Sequence, residues 1–289
     1  MIANDKINIS FVVLHYNNFK YTKACIESLK KYINKVKNVN VNIIVVDNGS
    51  TRYTLNRVAK ENNNNNIFYV ISKKNLGFAK GNNLGFSFAK SKLKSDIIIL
   101  TNSDTMYKQE DFIEKLVKHY KNGFDIAGPK ILTKNGTINQ NPIFHVLDTK
   151  KKVKAEIWKY KILNTLATFG VDNIFMTRIL PNLRKKKPVI TAKNNNFKLH
   201  GACLIFANNY VKKLNGLYPK TFMYGEEDFL WYLSHIYNFK MEYFNDLVVF
   251  HKGNATTDSV YGKGRIQRRF YYKWSLDSYK KLIYLMNKE

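Results

Sequence analysis

Residues 41–50 read VNIIVVDNGS. Val and Ile fill both odd and even positions of the first six, so neither side of an extended chain would be left polar. That pattern suits a strand buried on both faces of a parallel sheet. The run stops at Asp47-Asn48-Gly49-Ser50, a turn signal. The same grammar recurs on either side. Residues 7–14, INISFVVL, read as a strand, followed by a helix with Ala24, Ile26, Leu29 and Ile33 at helical spacing. Residues 54–60 read as a helix, the Asn run 62–66 as a loop and 67–71 as a third strand. Residues 75–83, NLGFAKGNN, form a glycine-containing turn that opens a helix through Lys90. Residues 96–100, DIIIL, are a fourth strand, stopped by Thr101-Asn102-Ser103-Asp104 and followed by a helix over 109–120. Strand and helix alternate over residues 1–125. We therefore expect an α/β fold with a mostly parallel, Rossmann-like sheet flanked by helices. In such sheets ligands lie at the carboxyl ends of the strands, where Asp47 and Asp104 fall.

The rest of the chain is less regular. Residues 150–195 form a basic helical excursion. It carries KKK at 150–152 and 185–187 and interleaves Trp158, Ile162, Leu163, Leu166, Phe169, Ile174, Phe175 and Met176. Three readings fit it: a solvated helix packed on the sheet, an amphipathic element resting on an anionic membrane, or an arm that binds nucleic acid. Residues 199–206 (LHGACLIF) read as a strand and 210–214 as a short helix. A helix opened by acids covers 224–237, and short strands cover 241–244 and 247–251. Residues 263–288 are a basic, aromatic, amphipathic helix or helix pair.

Composition narrows the function. With 289 residues and 45% hydrophobic side chains, the chain has material for a sizeable core, which excludes wholesale disorder. No run reaches the ~18 to 20 apolar residues of a membrane span, and the first residues lack a secretory pattern. Cys25 and Cys203 form neither a disulfide framework nor a metal spacing. The expected compartment is therefore cytoplasmic. Lys and Arg number 48 against 21 Asp and Glu, a formal charge of +27. Partners should be anionic: phosphorylated small molecules, an anionic membrane or nucleic acid. Abundant Asn suggests that base composition also contributes to the lysine excess.

Several residue groups carry recognisable chemistry. Asp104, at a strand end, can hold a divalent cation against phosphate oxygens, although turns and caps use Asp too. Asp47, an acceptor, could read a pyrimidine imide N–H or merely close its turn. Gly77 and Gly81 would allow close backbone approach at a helix start, with Lys80 adding charge. Glu226-Glu227-Asp228 would favour the helix dipole or supply a general base whose pKa its neighbours raise. His251, at the end of LVVFH, is a candidate metal or phosphate ligand, or a structural donor. Tyr224 and Trp231 could stack on a sugar, Trp231 being the better candidate for core packing.

The ordered set is specific where its members are not. Strand-D-N-G-S, N-x-G-F-x-x-G-N-N, strand-x-N-x-D, L-H-G-A-C, M-Y-G-E-E-D and a strand-end H-x-G together resemble the family-2 glycosyltransferases, over about residues 7–255. The closest likeness is to the branch that includes bacterial rhamnosyltransferases. The resemblance implies a GT-A fold over residues 1–255. Within it, 1–125 would be the nucleotide-binding half and 196–255 the acceptor and catalytic half, with 256–289 a basic C-terminal segment. It also implies inverting transfer of a sugar, with rhamnose suggested by the branch, from a dTDP- or UDP-linked donor. The acceptor would be a hydroxyl of a saccharide or lipid-linked saccharide in bacterial surface polysaccharide synthesis. Tyr16, Asp47, Asn48, Asn75, Gly77, Phe78, Lys80, Asn82, Asn102 and Ser103 would hold the donor. Asp104 matches the last acid of the family's D-x-D, and His251 can assist it in holding Mg²⁺ or Mn²⁺. Asn102 replaces the first acid, which weakens the expectation of strict metal dependence. Glu227 takes the base position by register, with Asp228 as its competitor and Glu226 beside them.

The resemblance further implies work at the inner face of the plasma membrane, in peripheral contact with anionic lipid. Three rival classes fit the residues less well. A sugar-phosphate nucleotidyltransferase should carry a Gly-rich basic loop where HYNNFKY stands. A nucleic-acid-binding protein should show a recognised module, and none is present. A non-catalytic sugar-nucleotide scaffold would have no need of the acids at 226–228.

Overall fold

The computed structural model describes residues 6–52, 64–179, 196–253 and 264–288. The helix expected over 54–60 and the KKK run at 185–187 lie outside the described residues. An eight-stranded sheet organises the chain, in the order β3-β2-β1-β4-β7-β6-β8-β5. Its strands are β1 (Ile7–His15), β2 (Val39–Asp47), β3 (Ile67–Ile71), β4 (Ile97–Asn102), β5 (Thr105–Met106), β6 (Ile126–Thr133), β7 (Cys203–Ala207) and β8 (Met241–His251). The helices are α1 (Phe19–Lys30), α2 (Phe78–Ser91), α3 (Phe112–Asn122), α4 (Lys150–Phe169), α5 (Asn208–Lys213), α6 (Glu226–Ile236) and α7 (Arg265–Lys288), with a further short helical stretch over Asp172–Ile179.

The first half is parallel: β1 pairs with β2 and β4, and β2 with β3. The second half is mixed. β7 runs antiparallel to both β4 and β6, β8 is parallel to β6, and β5 is antiparallel to β8. The Val/Ile runs become strands because both of their faces are covered. Ile9, Phe11 and Val13 point toward α1 and α3, into a core with Cys25, Leu29 and Phe112. Val12, Ile44, Val46, Ile98 and Leu100 point the other way, against Phe86 of α2 and Tyr210 of α5. Burying each such side chain stabilises the fold by roughly 1.5–3 kcal/mol. Two smaller clusters join α4, α6 and α7 on the outside: Val153, Phe229 and Leu282 in one, Tyr160, Leu163 and Tyr272 in the other.

Three expectations change. The strands read at 241–244 and 247–251 are one strand, β8. Its register with β6 shifts between Pro129 and Lys130, so that Phe244 faces Pro129 and Val248 faces Lys130. Pro129 has no N–H to donate, which is why the ladder skips there. The strand expected over 199–206 begins only at Cys203, so His200 and Gly201 stand in the loop before it. The last segment is a single helix of 24 residues. No helix among the described residues is long and apolar enough to cross a membrane.

Candidate active site

The carboxyl ends of β1, β2 and β4 open on one cavity of about 490 Å³. Tyr16 follows β1, Asn48 follows β2, Asn102 ends β4, and Ser103 and Asp104 follow it; all five line the cavity. So do Asn75 and Phe78 at the start of α2, Glu226, Glu227 and Asp228 at the start of α6, and His251 at the end of β8. Eleven of the fifteen residues that the resemblance assigns to donor, metal or catalysis therefore share one space.

Asp47, Gly77, Lys80 and Asn82 do not line it, and all but Lys80 have a visible local role. The Asp47 carboxylate accepts the Ser50 N–H at 2.8 Å, which closes the D-N-G-S turn. Asn82 donates to the Phe78 carbonyl one turn back. Lys80 is exposed on the outer side of α2. Gly77 stands at φ +83°, where a Cβ would lie 2.2 Å from the Phe222 carbonyl oxygen. Only glycine fits there.

Asn48 ties the loops at this end together. Its Nδ2 donates to the Asn75 side chain at 3.1 Å and to the Gly77 carbonyl at 3.0 Å, and its Oδ1 accepts the Leu76 N–H at 3.0 Å. The loop after β1 is held to the loop after β2 through Asn17, whose Oδ1 accepts the N–H groups of Thr51 and Arg52.

The opposite wall is acidic, and its three neighbouring acids have three different environments. Glu226 is 6% exposed and its Oε1 has no hydrogen-bond partner. Burial, then the charge of Glu227, pushes its carboxyl up to about 8. Asp228 is also buried, but it is ion-paired with Lys198 and accepts from the Tyr279 hydroxyl at 3.4 Å. Burial still raises its pKa in spite of the lysine. Glu227 is half-buried and accepts the Gly201 N–H at 3.2 Å. A Cβ on residue 201 would come within 2.8 Å of the Glu227 Oε1, so the glycine of L-H-G-A-C is what lets this carboxylate approach. The helix that carries the acids starts after Tyr224 and Gly225, both with positive φ. Tyr224 is an unusual residue in that conformation.

Between the two walls stand Asp104 and His251, with Oδ1 and Nε2 3.3 Å apart. The His251 Nδ1 lies 2.9 Å from the Gln140 Oε1. An amide oxygen only accepts, so Nδ1 carries the proton, and Nε2 is the nitrogen turned to Asp104. His200 has the other tautomer. Its Nδ1 accepts the Ala202 N–H at 3.1 Å, so any proton of the neutral ring is on Nε2. Burial lowers its pKa, against the pull of Glu227. Among the described residues no group of three or more His, Cys, Asp or Glu is arranged to hold a metal ion. One carboxylate and one imidazole nitrogen still fit a Mg²⁺ or Mn²⁺ that takes its remaining ligands from phosphate oxygens and water.

Some lining residues were missed. Lys198 immediately precedes the quoted L-H-G-A-C motif, His200 is its second residue, and Gln140 lies in a stretch without signature. Tyr271, Ser275 and Tyr279 reach the cavity from α7. Their four-residue spacing marks one helix face, but nothing in it names what that face meets. Tyr224 packs edge-on against Tyr271, ring centroids 4.7 Å apart. Trp231 is core: it is 6% exposed, donates to Asn196 and packs on His235.

Comparison with known proteins agrees with this architecture. The model of the family described as "Glycosyl transferase family 2" matches residues 10–181. The low-salt glycan biosynthesis hexosyltransferase Agl10 of Haloferax volcanii is 21% identical over 225 residues, covering 76% of this chain and 59% of that protein. The chain thus spans less than two thirds of this relative's length. The crystal structure of S. aureus TarS superposes with a TM-score of 0.52 at 17% identity, over 85% of this chain and 36% of TarS. TarS 1–349 in complex with UDP gives 0.53 at 17% identity, over 84% of this chain and 60% of the other. At such identities the structural likeness speaks for the fold alone, a GT-A-like α/β sheet. The family match covers more than half of the chain and includes the ends of β1, β2 and β4 that build one wall of the cavity: this protein is a member of glycosyl transferase family 2.

Proposed function

We propose that the chain is an inverting glycosyltransferase that uses a nucleoside-diphosphate sugar. The observation that carries this reading is the position of Glu227. It is the half-buried member of the three acids, it is aimed by the Gly201 N–H, and it shares the cavity with the Asp104–His251 pair. Glu227 is the general base. It takes the proton of an acceptor hydroxyl as that oxygen attacks the anomeric carbon. The bond to the diphosphate breaks on the opposite face, so the configuration inverts through a transition state of oxocarbenium character. Asp228, tied to Lys198, holds α6 in place. Glu226, neutral at pH 7, can donate a hydrogen bond to a sugar oxygen. The loops around Asn48, with Tyr16, Asn75 and Phe78, take the nucleoside. Asp104 and the His251 Nε2 would hold a Mg²⁺ or Mn²⁺, whose positive charge stabilises the leaving diphosphate.

The UDP complex of the TarS relative supports a UDP- or dTDP-linked donor. The hexosyltransferase Agl10, named for glycan biosynthesis, supports an acceptor in an assembling glycan. We take that acceptor to be a saccharide or lipid-linked saccharide of a bacterial surface polysaccharide, reached at the cytoplasmic face of the membrane. Rhamnose is the first donor sugar to test, on the branch resemblance. A calorimetric panel of UDP, dTDP, GDP and CDP, each with and without Mn²⁺, tests the donor side on wild type and Asp104→Ala. The expected result is a preference of tenfold or more for one imide nucleotide (~1.4 kcal/mol), lost without Mn²⁺ or without Asp104. Four nucleotides binding alike, indifferent to metal and mutation, would refute the assignment.

A further inference from the structure

The helix α4 is apolar on two opposite sides. Val153, Tyr160, Leu163 and Ala167 are buried, and they pack against α7 through Tyr272, Tyr279 and Leu282. The opposite side carries Trp158, Ile162 and Phe169, which are 65%, 43% and 76% exposed. Their spacing of four and seven residues puts them on one stripe. The stripe continues past the helix into Val171 and Ile174, also exposed. A soluble helix needs one apolar side, and this one has a second side that nothing in the chain's described residues covers.

The charges around the stripe point to its occupant. Lys150, Lys151, Lys154 and Lys161 are all exposed, and among the described residues none of them is ion-paired. Lys161 also reaches over the Trp158 ring, 5.2 Å from its centroid. The only acid of the helix, Glu156, is already engaged by Lys159 and His145. A second copy of the chain, meeting this face through a two-fold axis, would set lysines against lysines. An anionic lipid surface meets both features at once, because headgroups neutralise the lysines while Trp158 and Phe169 enter the acyl boundary.

We propose that the outer face of α4 and the turn after it form an in-plane docking surface for anionic phospholipid. It rests on the glycosyltransferase reading only in giving the proposed membrane contact a definite element. The orientation suits the cavity. The inner side of α4 places the Tyr160 hydroxyl 2.8 Å from that of Tyr271, a cavity-lining residue. A membrane under α4 therefore lies one helix pair away from Glu227, on the side where Tyr224 and Tyr271 stand. An acceptor anchored in that membrane would enter there.

The test is vesicle co-sedimentation of the full chain at ~0.1 M salt, using phosphatidylglycerol–phosphatidylcholine vesicles and pure phosphatidylcholine vesicles. Wild type should sediment with the anionic vesicles and not with the neutral ones. Trp158→Glu/Phe169→Glu should lower partitioning tenfold or more. Replacing Lys150, Lys151, Lys154 and Lys161 by Gln should lower it by about fivefold per lysine, several hundredfold together. Ile71→Glu, an exposed apolar position on the edge strand β3 rather than on α4, should bind vesicles like wild type. UDP titration and circular dichroism of each variant report folding and donor binding separately. Loss of UDP binding in wild type would refute the donor assignment while leaving the lipid result to stand or fall alone. Equal binding to both vesicle types would overturn the proposal. So would anionic binding that the α4 variants leave intact, because the overall charge would then be acting through some other surface. Concentration-dependent dimerisation of wild type in sedimentation velocity, abolished by Trp158→Glu/Phe169→Glu, would also overturn it by assigning the face to a second copy.

Discussion

Lys198→Met separates a structural carboxylate from a catalytic one. Lys198 is 10% exposed at its side chain and Asp228 2%, and they form a buried ion pair. Removing the lysine leaves a buried carboxylate that keeps only the long hydrogen bond from the Tyr279 hydroxyl, at 3.4 Å, among the described residues. Breaking such a pair costs about 3–5 kcal/mol. For 289 residues the unfolding entropy is about 0.6 kcal/mol/K, so Tm should fall by about 5–8 °C. The loss should depend on pH. Burial already holds the Asp228 carboxyl above its ordinary value, and without the lysine it rises further. The folded state then binds a proton that the unfolded state releases, so stability of the variant falls as pH rises above the ordinary carboxylate range. Melting curves at pH 5 and pH 8 should show the larger deficit at pH 8. Lys198→Met/Asp228→Leu removes both charges and should recover to within about 1 kcal/mol of wild type. A drop in Tm under ~2 °C for the single variant, or no recovery in the double, would refute the reasoning.

Other expectations concern the same wall. Glu227→Gln should abolish donor turnover, with Tm within about 2 °C of wild type, whereas Asp228→Asn should lose Tm first; turnover that survives Glu227→Gln would make Asp228 the base. Glu226 has its carboxyl raised from 4.5 to about 8, so it favours the folded state at low pH and loses that advantage as pH climbs from about 4.5 to about 8. Glu226→Gln should flatten a slope of the order of a few kcal/mol across that window, read from urea midpoints at pH 5 and pH 8. Gly201→Ala puts a Cβ 2.8 Å from the Glu227 Oε1 and should cut kcat by roughly ten- to a hundredfold, since small misplacements of a catalytic group cost that much, while leaving nucleotide affinity intact. Gly77→Ala meets both the positive φ and the Phe222 carbonyl and should cost about 2 kcal/mol or more, visible as a fall in Tm.

The parallel half was legible because each of its strands carries a short apolar run with Val or Ile that needs only local reading. β6 was not, since Gly128-Pro129 in its middle is the pattern of a turn. The chain tolerates that pair because the register with β8 skips at Pro129. Asn245-Asp246 made β8 look like two strands for the matching reason. In the site, strand-end residues such as Asn48 and Asp104 could be placed because strand ends converge in any parallel sheet. The contribution of Tyr271, Ser275 and Tyr279 could not, because it depends on how a helix far along the chain lies across α6. The pairing of Lys198 with Asp228 was hidden for the same reason, and it is what distinguishes two adjacent acids that look alike in the sequence. Asp47 shows that a polar residue at a strand end can also serve its own turn, through the Ser50 N–H.

The Asn48 amide has a bearing on how the protein ages. Asn-Gly is the dipeptide most prone to deamidation, because the small glycine lets its backbone nitrogen attack the side-chain carbonyl and form a succinimide. Here Asn48 precedes Gly49, yet both hydrogens of its amide and its oxygen are already committed to Asn75, Gly77 and Leu76. Folding thus shields the bond, and each local opening of these loops exposes it. The product, an aspartate or isoaspartate, cannot donate to either acceptor. Chemical wear on storage should therefore appear first as slackening of the Asn48 end of the cavity, with the acidic wall still intact.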